Sequence, residues 1–132
     1  MSNTRIFHVL SVAATAFLLP PAHGSAAEET PAVGSKTDRG RTFLLREPVE
    51  MYWNDWSGVR VSDDGAGQVD VYIAGEGKTV VFDGVVSLNC ESETEYYWRI
   101  AGDSGQALSE EEVDAKVPPR VIVNARAIFC KG

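Results

Sequence analysis

Histidine is almost missing from this chain, and its two copies, His8 and His23, both fall near the start. That start reads as a removable export signal spanning residues 1–27. Met1 to Arg5 opens with positive charge, Ile6 to Leu19 is apolar but short for a membrane span, and Ser25-Ala26-Ala27 supplies small residues for cleavage before Glu28. A chain cut there contains no histidine. This excludes a Ser-His-Asp triad, histidine general-base chemistry and the usual imidazole ligands of zinc or copper.

Cysteine is equally scarce. Only Cys90 and Cys130 are present, without the Cys-x-x-Cys spacing of a redox pair. An even count in an exported chain predicts that the two are joined. Closing a loop of about 40 residues stabilises a fold by roughly 4 kcal/mol in the chain-entropy model. Pairing also removes thiolate catalysis and thiolate metal binding, so neither a metal nor a cofactor is expected.

Positive charge is in short supply as well. The export segment holds one of the 12 basic residues, Arg5, and none of the 19 acidic ones, leaving 11 basic against 19 acidic residues and a formal charge of −8. Such a balance disfavours nucleic acid and anionic membrane surfaces and suits solubility or a basic protein partner. No stable membrane insertion is expected after cleavage. The product is expected to be periplasmic or secreted.

Glu28 to Arg41, EETPAVGSKTDRGR, is polar and poor in large apolar groups and is expected to be a flexible leader. Residues 42–132 then suffice for a single disulfide-stapled domain. Within it, Lys78–Phe82 and Val85–Cys90 flank Asp83-Gly84, a two-residue link that predicts a type I′ hairpin. Val86, Leu88 and Cys90 share one face of the second run, which directs Cys90 towards the core. Further alternations are Val49/Met51/Trp53, Val59/Val61, Val69/Val71/Ile73 and Tyr96/Trp98/Ile100, separated by turn-rich breaks at Asn54-Asp55, 63–67, 74–77 and 91–95. An antiparallel meander of about five to six strands is the economical topology.

The period changes after Gly105. Ser109 and Glu112 stand at capping-box spacing, with Leu108 and Val113 placed for a hydrophobic staple, which predicts a short helix to about Lys116. Pro118-Pro119 ends it. From 120 to 130 the chain fits a helix with the stripe Val121, Ile122, Ala125, Ile128 and Phe129, or a strand with Val121, Val123, Ala125, Ala127 and Phe129 on one face. Proline suits a first helical turn and Asn-Ala-Arg-Ala resists a strand, so the helix is preferred and the fold class is α+β; a final strand would make it all-β.

Three fragments of catalytic or metal motifs dissolve on inspection. Gly102-Asp103-Ser104-Gly105 matches a serine-protease nucleophile loop but has no histidine to serve it and reads as a turn. Asp63-Asp64-Gly65 begins like a calcium loop, yet Val71 stands where the closing glutamate belongs. Glu91, Glu93, Glu95 and Glu110 to Glu112 offer paired carboxylates, but in a polar loop and a helix first turn that read as solvated faces. No catalysis is expected.

One constellation remains. Tyr52, Arg60, Tyr72, Tyr97 and Arg99 lie in the phases opposite to the aliphatic residues, and Tyr and Arg are the types enriched where proteins bind one another. Trp53 and Trp98 read as core, and Trp56, in an apparent turn, as an exposed anchor. The expectation is a small acidic exported non-catalytic protein-binding domain of inhibitor or immunity type. The alternative is a carbohydrate or cell-wall binding module using Trp56 and the tyrosines.

Overall fold

Positive-φ residues mark most of the chain reversals in the computed structural model, which describes residues 29–131. The expected export signal lies outside the described residues. β1 (Thr42–Val49) turns into β2 (Tyr52–Asp63) at Glu50, with φ 55°, and β2 turns into β3 (Gln68–Gly77) at Gly65 and Gly67, with φ 70° and 90°. β4 (Val81–Asn89) follows a turn at Lys78 and Thr79, and β5 (Tyr96–Asp103) meets β6 (Gln106–Ala107) across Ser104 and Gly105, with φ 52° and 84°. Two successive positive φ values are what a type I′ hairpin requires. The six strands form one antiparallel sheet in the order β1-β2-β3-β4-β5-β6.

Two helices close the chain. Ser109 caps α1 (Glu110–Lys116) with a complete capping box to Glu112, and three glutamates occupy the first turn, where the helix dipole favours them. Pro119 begins α2 (Pro119–Phe129), which buries Val121, Ile122, Ala125 and Phe129 as the helical stripe predicts. These meet Leu44, Trp56, Val71, Ile73, Val86 and Leu88 from one face of the sheet, together with Val113 and Val117 of α1. Cys90 and Cys130 are bonded, with Cα atoms 5.4 Å apart, and tie the end of β4 to the end of α2. The fold is α+β, a six-strand meander with both helices packed on it and one disulfide.

Several local expectations change. Asp83-Gly84 is the interior of β4, not a hairpin, because the glycine answers to packing rather than to turning. A Cβ on Gly84 would lie 2.6 Å from the Ile100 carbonyl oxygen and 3.1 Å from Trp98 Cζ3. Glu50 and Met51 form a turn instead of continuing a strand from Val49 to Trp53, and Met51 is exposed. Asn54-Asp55 is no break, since β2 runs through it. The segment expected as a flexible leader carries a reverse turn bonded to β1: Gly34 N–H donates to the Phe43 carbonyl (2.8 Å), Phe43 N–H to the Ser35 carbonyl (2.7 Å) and Thr37 N–H to the Arg41 carbonyl (2.7 Å). Its backbone satisfies the outer edge of β1 and helps bury Phe43, which composition alone did not reveal.

Candidate functional site

Register places the two faces of the sheet. Val59 pairs with Tyr72, Tyr72 with Val85 and Val85 with Ile100, so these four side chains form one row across β2 to β5 on the face away from the helices. Val59, Tyr72 and Val85 are half-buried, whereas Ile100 is 67% exposed. The neighbouring row on the same face is Ser62, Asp70, Ser87 and Tyr97. Ser62 Oγ donates to Asp70 Oδ2 (2.9 Å), Ser87 Oγ donates to Asp70 Oδ1, and Arg99 Nε donates to Ser87 Oγ (2.8 Å) while standing 3.1 Å from Asp70 Oδ2. Burial disfavours the Asp70 carboxylate, but the hydrogen bonds from Ser87, Ser62 and Arg99, with the charge of Arg99, outweigh it and hold the pKa below the usual 3.8.

Three of the six predicted site residues meet on this face. Tyr72 receives the Arg41 guanidinium over its ring at 5.7 Å, and Arg99 lies 5.4 Å from the centroid of Tyr97. The other three do not join them. Tyr52 and Arg60 fall on the helix side, at the two ends of β2, because Tyr52, Asn54, Trp56, Gly58 and Arg60 share one phase. Lys78 lies over the Tyr52 ring at 4.8 Å, and Arg60 Nη2 donates to the Phe129 carbonyl at the end of α2.

Trp56 is fully buried at the centre of the core, not an exposed anchor, while Trp53 is half-exposed with Arg46 stacked 4.3 Å from its ring. The tryptophans therefore exchange their expected roles. Ile100 was expected beside Tyr96 and Trp98, yet the β-bulge between Val85 and Val86 leaves Arg99 as an extra residue in β5 and turns Ile100 to the open face. The period-two pattern alone carried no sign of that bulge.

At one end of the open face the β2–β3 and β4–β5 loops approach each other. Cys90 N–H donates to the Gly67 carbonyl (2.7 Å), and between the loops lies a pocket of about 280 Å³ lined by Ser87, Asn89, Glu91, Glu95, Tyr96 and Tyr97 among others. The β4–β5 loop is fixed from beneath. Arg126 of α2 donates to the carbonyls of Asn89, Ser92 and Glu95, and the disulfide holds Cys90. A pocket of about 590 Å³ on the helix side includes Glu47, Asn54, Thr79 and Glu112, but its polar groups serve the fold. The Asn54 amide donates to Glu47 (3.0 Å) and Thr79 (2.9 Å), and Glu112 completes the α1 cap.

Asp63 and Asp64, the start of the apparent calcium loop, accept hydrogen bonds from the backbone of their own turn: Asp63 from Gly65, Asp64 from Ala66 and Gln68. Among the described residues no helix is long and apolar enough to cross a membrane. Fold and surface together define an α+β domain with its main core on one face of the sheet; the other face is covered near β1, where Phe43 and Ala74 are buried, and is exposed towards β5 at Tyr97 and Ile100. No family model matches the chain, and neither a curated protein nor a solved structure does.

Proposed function

We propose that this is an exported, non-catalytic protein-binding domain of inhibitor or immunity type, which presents the open face of its sheet to a basic partner. The observation that carries the reading is the row Val59, Tyr72, Val85 and Ile100, flanked by Tyr97, on a face that neither helix covers. Aliphatic and aromatic side chains standing together on such a surface supply the apolar centre that a protein interface needs. Basic side chains are largely engaged within the fold: Arg39 and Arg41 with Glu76, Arg46 with Asp55, Arg99 with Asp70 and Lys116 with Asp103. One group of carboxylates, Asp63, Asp64, Glu91, Glu93 and Glu95, stands at one end of the sheet, apart from the acidic residues of α1. An apolar centre with an acidic rim selects a basic surface.

The carbohydrate reading loses its tryptophan, since Trp56 is core, and Tyr72 stands among aliphatic neighbours that offer a sugar no hydrogen bonds. The deciding experiment captures partners from the envelope and extracellular fractions on the immobilised mature protein and on an Ile100→Glu, Tyr72→Ala variant of equal melting temperature. A basic protein retained by the parent and lost by the variant supports the proposal. Equal retention by both, or no basic protein on either, rejects it.

A further inference from the structure

The pocket between the two acidic loops sits at the end of the surface assigned to the partner, and its chemistry is narrower than that of the surface as a whole. Its lining includes Tyr97, Glu91 and Glu95, whereas Tyr96, in the opposite phase of β5, turns its side chain towards Asp114 and Arg126 on the helix side. Asn89 Nδ2 donates to Glu95 Oε2 (2.9 Å), which orients one carboxylate, and Glu91 lies against Gly67, where even a Cβ would come within 3.0 Å of its side chain. Ser87, fully buried on the same lining, is already used in both senses: its hydroxyl donates to Asp70 and accepts from Arg99. The charged groups of the lining are thus carboxylates, with the Tyr97 ring beside them, and the cation that borders the pocket, Arg99, is paired with Asp70.

We propose that this pocket receives an arginine side chain of the partner, with Glu91 and Glu95 accepting from the guanidinium and a tyrosine ring stacking on it. The inference rests on the protein-binding reading above and specifies its anchor. Three observations converge on that occupant. At about 280 Å³ the pocket lies just below the roughly 300–1,000 Å³ of small-molecule sites and suits a single long side chain. A planar guanidinium matches paired carboxylates and aromatic faces together, which an ammonium point charge does less well. Tyr97 is 45% exposed, so its ring stays accessible to a guest beside the contact it makes with Arg99 at 5.4 Å.

The loop is also pre-organised, because the Arg126 hydrogen bonds and the disulfide fix its backbone before any partner arrives. This lowers the ordering cost of closing the pocket around a side chain.

Arginine amide titrated into the isotopically labelled mature protein at constant ionic strength tests the assignment, with citrulline amide as the isostere whose side chain is neutral and lysine amide as the point-charge control. The expected result is saturable shifts at the backbone amides of Gly67, Glu91 and residues 95–97 with arginine amide and none with citrulline amide. Glu95→Gln, which keeps the Asn89 contact, and Tyr97→Leu should each weaken the response by about fivefold or more. Shifts scattered over all acidic loops, equal shifts with citrulline amide, or lysine amide binding as tightly as arginine amide would overturn it. Capture of a basic partner through Tyr72 and Ile100 without any arginine response would defeat this anchor alone. An arginine response with no captured partner would leave the pocket standing and defeat the wider reading.

Discussion

Asp70 shows how much of the open face is held by one carboxylate, which accepts from Ser62 and Ser87 and pairs with Arg99. Its folded pKa lies below 3.8, so its contribution to stability is complete above that value and is lost as pH falls through the lower folded value. Asp70→Asn should therefore reduce the acid-side slope of stability, measured as denaturation midpoints from about pH 2 to 7, and cost about 1 kcal/mol at neutral pH. An unchanged slope would show that Asp70 is not held by these partners. Trp56 makes the corresponding point in the core. Its ring lies so close to β3 that a Cβ on Gly75 would be 2.6 Å from Cζ3, so Gly75→Ala should destabilise by about 1–3 kcal/mol in chemical denaturation. A neutral effect would mean that the indole has room to shift. Trp53 and Trp56 were misassigned from sequence for a physical reason. The alternation through Val49, Met51 and Trp53 crosses the turn at Glu50, and a count carried across a turn does not survive into the next strand.

Among the elements, the helices were legible because their signals are local: Ser109 and Glu112 sit at capping distance, and Pro119 opens a stripe at helical spacing. The strands were legible as runs but not in phase, because β-bulges at Phe43/Leu45, Arg60/Ser62 and Val85/Val86 shift the alternation without changing composition. For that reason Ile100 lies on the open face with Tyr72, Tyr97 and Arg99, whereas Arg60 lies on the helix side by regular alternation with Trp56 and Gly58, because Val59 faces outward. Asp83-Gly84 failed for a different cause: Asp-Gly serves a turn or a close approach equally well, and only the neighbouring strand decides between them. The pairing of the cysteines joins these two scales, since it links a strand end to a helix end 40 residues away. Replacing both with serine should cost roughly 4 kcal/mol, read as a fall in denaturation midpoint. It should also broaden the amide signals of residues 90–95, because hydrogen bonds, those of Arg126 among them, would then hold that loop without a covalent tie. Sharp, unmoved signals there would assign the loop's order to those hydrogen bonds and not to the disulfide.

For the whole molecule, charge and shape act on different steps of association. The row from Val59 to Ile100 offers contact area without charge, whereas the carboxylates of the β2–β3 and β4–β5 loops project from one end of the sheet. Under the proposed reading, long-range attraction from a chain with formal charge −7 acts on the encounter, and short-range packing on the open face acts on the lifetime of the complex. Raising salt from about 0.05 to 0.5 M should therefore slow association with the captured partner by roughly tenfold or more and leave dissociation within about twofold, because the Debye length shrinks about threefold and screens the acidic loops from an approaching partner. Ile100→Glu should show the reverse pattern, faster dissociation with an association rate close to that of the parent. Surface plasmon resonance on the two proteins at two salt concentrations separates these effects. If salt instead acted mainly on dissociation, the carboxylates would belong to the buried part of the interface, and the apolar row would lie at its margin.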